Sequence, residues 1–296
     1  MLQNVVGVLK NTTFVASVGW NLSPKIRISI LNSMKIAIIG AGNMGSAIAR
    51  GILSATSAHE VWISNPSAGK LTALKGDYPE VQTTSSNLEA VQDAHLIILA
   101  VKPWLIAEVI REIAPSIDAR KQVVASLAGG MSIDDVARCF SAADAAVPPL
   151  CVVMPNTAIA VGSSMTFIAT REVPADAEHA IVALFSTMGK VKLIPERLLP
   201  AATSLASCGI AFALRYVRAA MEGGVELGFT PRDAQEIVGQ TLQGAIDLLA
   251  QDGAHPELEI DKVTTAGGLT IRGLNAMEQA GFTHSVQQGL RAAVKG

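Results

Sequence analysis

The stretch that decides the fold is KIAIIGAGNMGSAIARGI, which runs from Lys35 to Ile52. It begins with a strand-like, mostly apolar run, continues through a glycine-rich turn at Gly40–Gly45, and ends in alanines and isoleucines at helical spacing over Ser46–Leu53. A strand, a tight glycine turn and a helix in this order form the unit that binds a dinucleotide in many α/β proteins. A purely structural turn is the alternative, because glycine-rich turns are common.

The three glycines of the turn have separate roles in this interpretation. Gly40 permits the tight turn, Gly42 lets the backbone approach a pyrophosphate, and Gly45 lets the helix lie close to the strand. The phosphates would lie at the N-terminus of the helix, where free N–H groups and the helix dipole favour an anion. We therefore expect a dinucleotide at this turn.

Length and composition limit what the rest of the chain can be. With 296 residues the chain exceeds what one hydrophobic core usually serves, so we expect two domains. Hydrophobic residues make up 50% and aromatic residues only 4%, which suits close packing of helices on sheets and on one another. The net charge is −2 and the basic residues are scattered, so we expect a small soluble ligand and neither nucleic acid nor a membrane as partner.

The cysteines and the first residues of the chain carry weaker signals. Cys139, Cys151 and Cys208 are far apart, which indicates thiols in a reducing, cytoplasmic compartment rather than disulfides or a metal site. The histidines are isolated in the sequence, and we predict no metal. Because Met34 directly precedes the first strand, residues 1–33 are interpreted as an upstream extension, with a disordered tail as the alternative.

Strand-like runs alternate with helical stretches up to about Ile194. The runs are 60–64, 81–84, 95–101, 123–127, 151–154, 165–169 and 191–194, and a helix is expected over 175–188. This alternation predicts an α/β fold with a doubly wound, largely parallel sheet over residues 34–194. Ligands bind beyond the carboxyl ends of such strands, so Ala100–Pro103 and the small residues after Leu127 belong to the expected cofactor site.

The end of the second strand bears on the choice of cofactor. An acidic residue at this place accepts a hydrogen bond from the 2′-hydroxyl of NAD. This chain has Ser64 and Asn65 instead, which can donate to a 2′-phosphate, and Lys70 is nearby in sequence. We therefore favour NADPH, with NADH as the second possibility and an ordinary turn before Pro66 as the structural alternative.

Residues 195–296 have a different character. They contain no convincing strand, and we expect a helix that starts with Thr230 as its N-cap and Pro231 at its first position. The stretch 198–227 carries small or apolar residues nearly all round. A helix of that kind is buried on several sides, which in a domain of this size indicates burial against another subunit.

A second motif, DKVTTAGGLTIRGL, runs from Asp261 to Leu274. It places a Gly-Gly turn, flanked by threonines, directly before an amphipathic helix. Hydroxyl groups and free N–H groups at a helix N-terminus can hold a carboxylate. A plain helix start is the alternative.

Five motifs together resemble the pyrroline-5-carboxylate reductase family: GAGNMG at 40–45, AVKP at 100–103, SLAGG at 126–130, MPNT at 154–157 and DKVTTAGGLTIRGL at 261–274. The first motif is generic, whereas the last is close to the family's signature. The resemblance implies a Rossmann-type domain, a C-terminal all-helical dimerisation domain, and often pentamers of dimers. It also implies reduction of L-1-pyrroline-5-carboxylate to L-proline by NAD(P)H, the last step of proline biosynthesis.

The motifs and the resemblance predict the site residues. The substrate would meet Glu196, Thr265, Gly267, Gly268, Leu269 and Thr270. The cofactor would meet Ile39, Gly40, Ala41, Gly42, Asn43, Met44, Gly45, Ser64, Asn65, Asn87, Ala100, Val101, Lys102, Pro103, Leu127, Ala128, Gly129 and Asn156. The chain departs from the family at Leu269, where a hydroxyl is common, at Ile210, where a proline is common, and at Arg215 and Arg218.

Two other functions remain open from the sequence. A Rossmann oxidoreductase of the 3-hydroxyacid dehydrogenase type would need a lysine early in the helical domain, and Leu198–Phe229 has none. A catalytically silent nucleotide-binding protein is supported only by the departures from the family pattern.

Overall fold

The structure is a computed structural model that describes residues 33–56 and 58–294. The predicted extension at residues 1–33 therefore lies, except for Ser33, outside the described residues. Contacts between residues divide the chain into one unit that ends at Glu196 and a second unit, Arg197–Gly296. The sequence placed this division after Ile194.

The first unit contains one eight-stranded sheet. Its strands are β1 (Lys35–Ile39), β2 (Glu60–Ser64), β3 (Gln82–Thr84), β4 (Leu96–Leu99), β5 (Val123–Ser126), β6 (Leu150–Met154), β7 (Ser164–Arg171) and β8 (Gly189–Leu193). The order in the sheet is β3-β2-β1-β4-β5-β6-β7-β8, and every neighbouring pair is parallel except β6 with β7. The predicted doubly wound, largely parallel sheet is confirmed.

Six helices accompany this sheet: α1 (Asn43–Ala55), α2 (Ala68–Asp77), α3 (Asn87–Val91), α4 (Ile106–Ile113), α5 (Ile133–Ser141) and α6 (Ala175–Ser186). The strand order changes direction between β1 and β4, because the chain first builds toward β3 and then returns to the other side of β1. In open α/β sheets the crevice beyond the carboxyl ends of strands at such a point binds ligands.

The core of the first unit lies on both faces of the sheet. All four residues of β4 and all four of β5 are buried, and so are the fully enclosed Phe140 and Phe185. Strands that are covered on both sides have apolar residues at every position, which is why they were recognisable in the sequence. Burial raises the pKa of the Cys151 thiol on β6 to about 12, and all three cysteines are free thiols.

Two histidines hold the chain where β1 begins. The Met34 N–H donates to Nδ1 of His59 at 3.2 Å, and the Lys35 N–H donates to Nδ1 of His95 at 2.9 Å. Burial lowers the pKa of both imidazoles below the ordinary value. The neutral form accepts these hydrogen bonds, so both side chains have structural roles at the amino edge of the sheet.

The second unit consists of helices joined by turns, with no strand among its described residues. Its helices are α7 (Leu199–Ala202), α8 (Gly209–Glu226), α9 (Pro231–Leu249), α10 (Pro256–Lys262), α11 (Leu269–Gln279) and α12 (Phe282–Val294), with a π-helical turn at Thr203–Cys208. The Thr230 hydroxyl caps α9 by accepting the Asp233 N–H at 3.2 Å, as predicted. A single turn of 3₁₀ helix, Glu196–Leu198, spans the boundary between the units.

Little of this second unit is buried within the single chain. Among its described residues only Leu199, Ala202, Ser204 and Ala234 are buried. Large apolar side chains are exposed instead, for example Leu205 at 65% and Leu214 at 61%. The segment Glu196–Glu226 is also long and apolar enough to cross a membrane by length and composition, a test that helices of soluble proteins pass as well.

Candidate active site

The glycine turn after β1 has the geometry that the sequence predicts for a dinucleotide site. Gly40 has a φ of +106°, and a Cβ there would meet the Ala100 carbonyl oxygen at 2.8 Å. A Cβ on Gly45 would lie 2.0 Å from the Gly40 oxygen. Both positions therefore require glycine, because any side chain would separate α1 from β1 or from the chain after β4.

Gly42 differs from its two neighbours because it faces open space. A Cβ at Gly42 would meet no other atom within 4 Å. Gly42 is also the N-cap of the 13-residue helix α1, and no side chain caps that end. The first N–H groups of the helix are thus uncapped beside an opening that a side chain would narrow, and this arrangement fits the pyrophosphate of a dinucleotide.

Asn65 ties the end of β2 to this turn. Its Oδ1 accepts the Ala41 N–H at 3.1 Å, and its Nδ2 donates to the Ser67 carbonyl oxygen at 3.1 Å. The Gly40 N–H donates to the Ser64 carbonyl oxygen at 2.9 Å. Asn65 and Ser64 therefore hold the shape of the turn as well as lying beside it.

A cleft of about 960 Å³ opens at the carboxyl edge of the sheet beside this turn. Fifteen of the predicted cofactor residues line it: Ile39, Gly40, Gly42, Asn43, Met44, Ser64, Asn65, Asn87, Ala100, Val101, Lys102, Pro103, Leu127, Ala128 and Gly129. These residues end or follow β1, β2, β4 and β5, or begin the next helix. The fold thus brings five separate segments of sequence to one opening.

The other three predicted cofactor residues lie behind this lining. Ala41 is 1% exposed, and Gly45 is buried against the turn. Asn156 is 5% exposed, and its side chain accepts the Ala158 N–H at the start of a short 3₁₀ helix, Thr157–Val161. Thr157 and Ala160 of that helix line the cleft, so Asn156 shapes the wall from behind.

A chain of hydrogen bonds runs through the part of the cleft that is predicted to hold the adenosine ribose of the cofactor. The Ser64 hydroxyl donates to Oδ1 of Asn87 at 2.6 Å, and Nδ2 of Asn87 donates to the Glu112 carboxylate at 2.8 Å. A hydroxyl has a single proton, so Ser64 cannot at the same time donate to a 2′-phosphate. Ser64 is also fully buried. Lys70 lines the same cleft and forms no ion pair with any described residue, so it is the better candidate for that phosphate.

Helix α4 supplies a wall that the sequence interpretation missed. Glu108, Val109 and Glu112 line the cleft, together with Leu105 of the preceding 3₁₀ turn (Pro103–Leu105). The available signal was the position of this helix directly after the AVKP motif, with glutamates four residues apart on one face. Nothing in the sequence indicated that this face turns toward Asn87, because that depends on how α4 packs beside α3.

Glu196, a predicted substrate residue, already has a partner in the first unit. Its carboxylate accepts the Ile133 N–H, the first of α5, at 2.6 Å. The same helix end carries a capping box, in which Ser132 and Asp135 bond reciprocally and hold the pKa of Asp135 below its usual range. Glu196 thus fixes the helix that follows the cleft segment Leu127–Gly129, and its assignment to the substrate stays a prediction.

The predicted substrate loop lies in the second unit. The Gly268 N–H donates to the Thr265 carbonyl oxygen at 3.0 Å, and Gly267 has a φ of +69°, which closes a tight turn before α11. The Arg272 guanidinium donates to the Gly267 carbonyl oxygen at 3.0 Å. Leu269 is 85% exposed, and the Thr270 hydroxyl makes no hydrogen bond within the described part of the chain. The loop therefore presents a free hydroxyl and an uncapped helix end.

The other departures from the family pattern lie around the π-helical turn and on α8. Ile210 follows that turn, which forms without the proline that is common in the family. Ser204, inside the turn, donates its hydroxyl to the Leu290 carbonyl oxygen of α12 at 2.7 Å. Arg218 pairs with Glu222 one turn further along α8.

Comparisons with known proteins cover both units. Residues 196–296 match the pyrroline-5-carboxylate reductase dimerisation domain, and residues 35–129 match the NADP oxidoreductase family described as coenzyme F420-dependent. Pyrroline-5-carboxylate reductase 2 of Dictyostelium discoideum is 34% identical over 90% of this chain and 92% of its own length. Reductase 1 of the same organism is 35% identical over 86% of this chain, which spans 48% of that longer protein.

A solved structure shares the fold. The pyrroline carboxylate reductase of Plasmodium falciparum, solved with NADP bound, has a TM-score of 0.79 and 24% identity, and the match covers 88% of this chain and 96% of that one. The resemblance that the five motifs predicted is confirmed over most of the sequence. The chain belongs to the pyrroline-5-carboxylate reductase family.

Proposed function

We propose that this protein reduces L-1-pyrroline-5-carboxylate to L-proline with NADPH, the last step of proline biosynthesis. The main observation behind the proposal is the open space beside Gly42 within the cleft, in a chain that belongs to this reductase family. The uncapped end of α1 and the small residues after β4 and β5 fit a dinucleotide. When bound, the reduced nicotinamide supplies a hydride.

The reaction asks little acid or base chemistry of the protein. One hydride reaches C5 of the protonated cyclic imine, the C=N π electrons go to the ring nitrogen, and the product is a secondary amine. The imine is already an electrophile, so the protein needs to hold the two reactants close together and to bind the carboxylate. Among the described residues no group of His, Cys, Asp and Glu is arranged to hold a metal ion.

The substrate carboxylate is proposed to bind at the Gly267–Thr270 turn. Gly267, Gly268 and Thr270 offer N–H and hydroxyl donors at the start of α11, whereas Leu269 offers only its N–H. Thr265 is the second free hydroxyl of the loop. Glu196 is the candidate acceptor near the ring nitrogen, with one carboxylate oxygen committed to Ile133.

The cofactor is NAD(P)H, and within that class we propose NADPH. No acidic residue ends β2, and Lys70 faces the cleft as an unpaired cation among the described residues. Glu108 and Glu112 oppose this preference, since carboxylates in the cleft repel the 2′-phosphate of NADPH. NADH is expected to be used less well.

The helical unit is proposed to form a homodimer, which in turn can assemble into a pentamer of dimers. The match to a dimerisation domain and the exposed apolar side chains of α8 and α9 support this assembly. We propose a cytoplasmic protein without nucleic-acid or membrane partners. Light scattering tests the assembly: Leu214→Asp should yield monomers, Val147→Asp on the first unit should not, and a stable wild-type monomer at micromolar concentration would contradict it.

One assay tests the activity. Purified protein should oxidise NADPH when pyrroline-5-carboxylate is present. It should neither reduce NADP with 3-hydroxyacids nor oxidise NADPH without a substrate. Turnover of a 3-hydroxyacid would favour the dehydrogenase alternative. Tight NADPH binding without any turnover would favour a silent nucleotide-binding protein.

A further inference from the structure

The cleft contains a carboxylate whose only described partner is a predicted cofactor residue. Glu112 is exposed on α4, and no lysine or arginine of residues 33–56 and 58–294 forms an ion pair with it. Its carboxylate accepts one N–H of the Asn87 amide at 2.8 Å. A negative charge beside the place of an anionic cofactor is unfavourable by itself, so its position needs another explanation.

The chemistry of Glu112 fixes which way the Asn87 amide points. An ionised carboxylate only accepts hydrogen bonds, so the nitrogen of the Asn87 amide has to face Glu112. The Asn87 oxygen then faces β2, where the Ser64 hydroxyl donates to it at 2.6 Å. The flipped amide would put two oxygens together at Glu112, a repulsive contact, whereas the Ser64 hydroxyl can donate or accept and so tolerates either orientation.

The fixed amide has a defined consequence for the cleft. Nδ2 has two N–H donors, of which Glu112 takes one, and Oδ1 is occupied by Ser64. Asn87 lines the cleft at the first position of α3. The second N–H of Asn87 is therefore the group left over for a ligand in the cleft, and it suits a ribose or phosphate oxygen.

We propose that Glu112 is a positioning residue for cofactor binding: through one hydrogen bond it holds the Asn87 amide with its donor directed to the cofactor. This inference rests on the proposed cofactor site. Glu112 acts through Asn87 and not through its charge, and the charge is a cost that the fixed orientation outweighs.

The test is the NADPH dissociation constant, measured by fluorescence titration. Glu112→Ala frees the amide and should raise the constant about tenfold. Glu112→Gln keeps an oxygen that can accept the Asn87 N–H but also offers an N–H to the flipped amide, so it should weaken NADPH binding less than Glu112→Ala does. Glu108→Ala removes a similar charge from the same wall, one turn away, and should lower the constant by up to about threefold.

A double-mutant cycle shows whether Glu112 affects NADPH binding through Asn87. In an Asn87→Ala background, Glu112→Ala should no longer weaken NADPH binding, because the group that it positions is gone. The proposal is overturned if Glu112→Ala tightens binding as Glu108→Ala does, or if it weakens binding equally with and without Asn87. A wild-type protein that does not bind NADPH would instead overturn the proposed function. Circular dichroism and thermal melts show whether each variant is folded.

Discussion

The two units of the chain differ in how they cover their apolar surface. The first unit buries its sheet within the single chain, so that side chains such as Ile98 and Phe140 are fully enclosed. The second unit leaves Leu214 and Ile246 each 61% exposed and has four buried residues in its described part. The first unit thus has a closed apolar core, whereas the second leaves large apolar side chains exposed, as expected of a region that matches a dimerisation domain.

The two units also have different roles in the proposed reaction. The first unit holds a cleft whose walls are fixed by hydrogen bonds within the same unit, as at Asn65 and Asn87. The second unit offers a short exposed turn with a free hydroxyl at Thr270 and a glycine at the helix start. Cofactor binding is thus expected to survive changes in the helical unit, and substrate binding is not.

The largest expected effect compares one phenylalanine in each unit. Phe140→Ala removes a fully buried ring on α5 and should lower the free energy of unfolding by about 3–5 kcal/mol at any protein concentration. Phe212→Ala changes a ring on α8 that is 38% exposed in the single chain. Its cost should depend on protein concentration if the proposed dimer covers that face of α8. Urea unfolding over an about hundredfold concentration range measures both; equal dependence for the two variants would remove the contrast.

The next largest effect distinguishes substrate binding from cofactor binding. Thr270→Ala should raise the KM for pyrroline-5-carboxylate by about one to two decades, because a carboxylate loses a hydroxyl donor worth about 1.5–3 kcal/mol. NADPH binding, measured by fluorescence, should stay nearly unchanged. Thr241→Ala on α9 is the matched control and should alter neither quantity. If NADPH affinity fell while the substrate KM did not move, the turn would belong to the cofactor or to the fold.

A smaller effect concerns the choice between the two cofactors. Lys70→Ala should reduce the ratio of kcat/KM for NADPH to that for NADH about fivefold, since an exposed cation facing a phosphate contributes about 1 kcal/mol or less. Lys75, on the same helix, donates to the Val81 carbonyl oxygen instead. Lys75→Ala should therefore leave the ratio alone, and an unchanged ratio in Lys70→Ala would take Lys70 out of the site.

The smallest effect is a pH dependence confined to the first unit. Burial lowers the pKa of His95 below 6.5 in the folded protein, so the unfolded chain binds the proton more readily. The contribution of His95 to stability is complete above about pH 6.5 and is lost as the pH falls through its lowered pKa. His95→Gln should reduce the loss of stability between about pH 7.5 and about pH 5. His284→Gln in the helical unit should not, and a wild-type stability that rises on acidification would contradict the assignment.

Much of the fold was predictable because local sequence and tertiary environment agree in the sheet. The run HLIILAV predicted a strand over His95–Val101, and the strand occupies Leu96–Leu99 within it. At the amino end the His95 backbone still bonds to Lys35 and Val123, although the regular strand begins one residue later, and at the other end the chain runs from Ala100 toward the cleft. Strand ends depend on such contacts, which a hydrophobic pattern does not contain.

The cleft was predicted less completely. Fifteen expected residues line it, since the ends of parallel strands converge at one edge of a sheet. Glu108 and Glu112 were missed, because a helix face shows which residues are neighbours along the helix and not what the face meets. The role given to Ser64 also changes, since its hydroxyl is committed to Asn87, 23 residues away in the chain.

The sequence by itself determined the glycine turn, the largely parallel sheet and the family, because each rests on local spacing, as with Gly40, Gly42 and Gly45 between a strand and a helix. Only the tertiary structure determined the burial, the orientation and the hydrogen-bond partners of the groups around the proposed cofactor site. Ser64 is buried, Asn87 is oriented and Glu112 arrives from α4 because helices α3 and α4 pack side by side. Hydrogen-bond partners distant in sequence are chosen by that packing, and no local pattern encodes them.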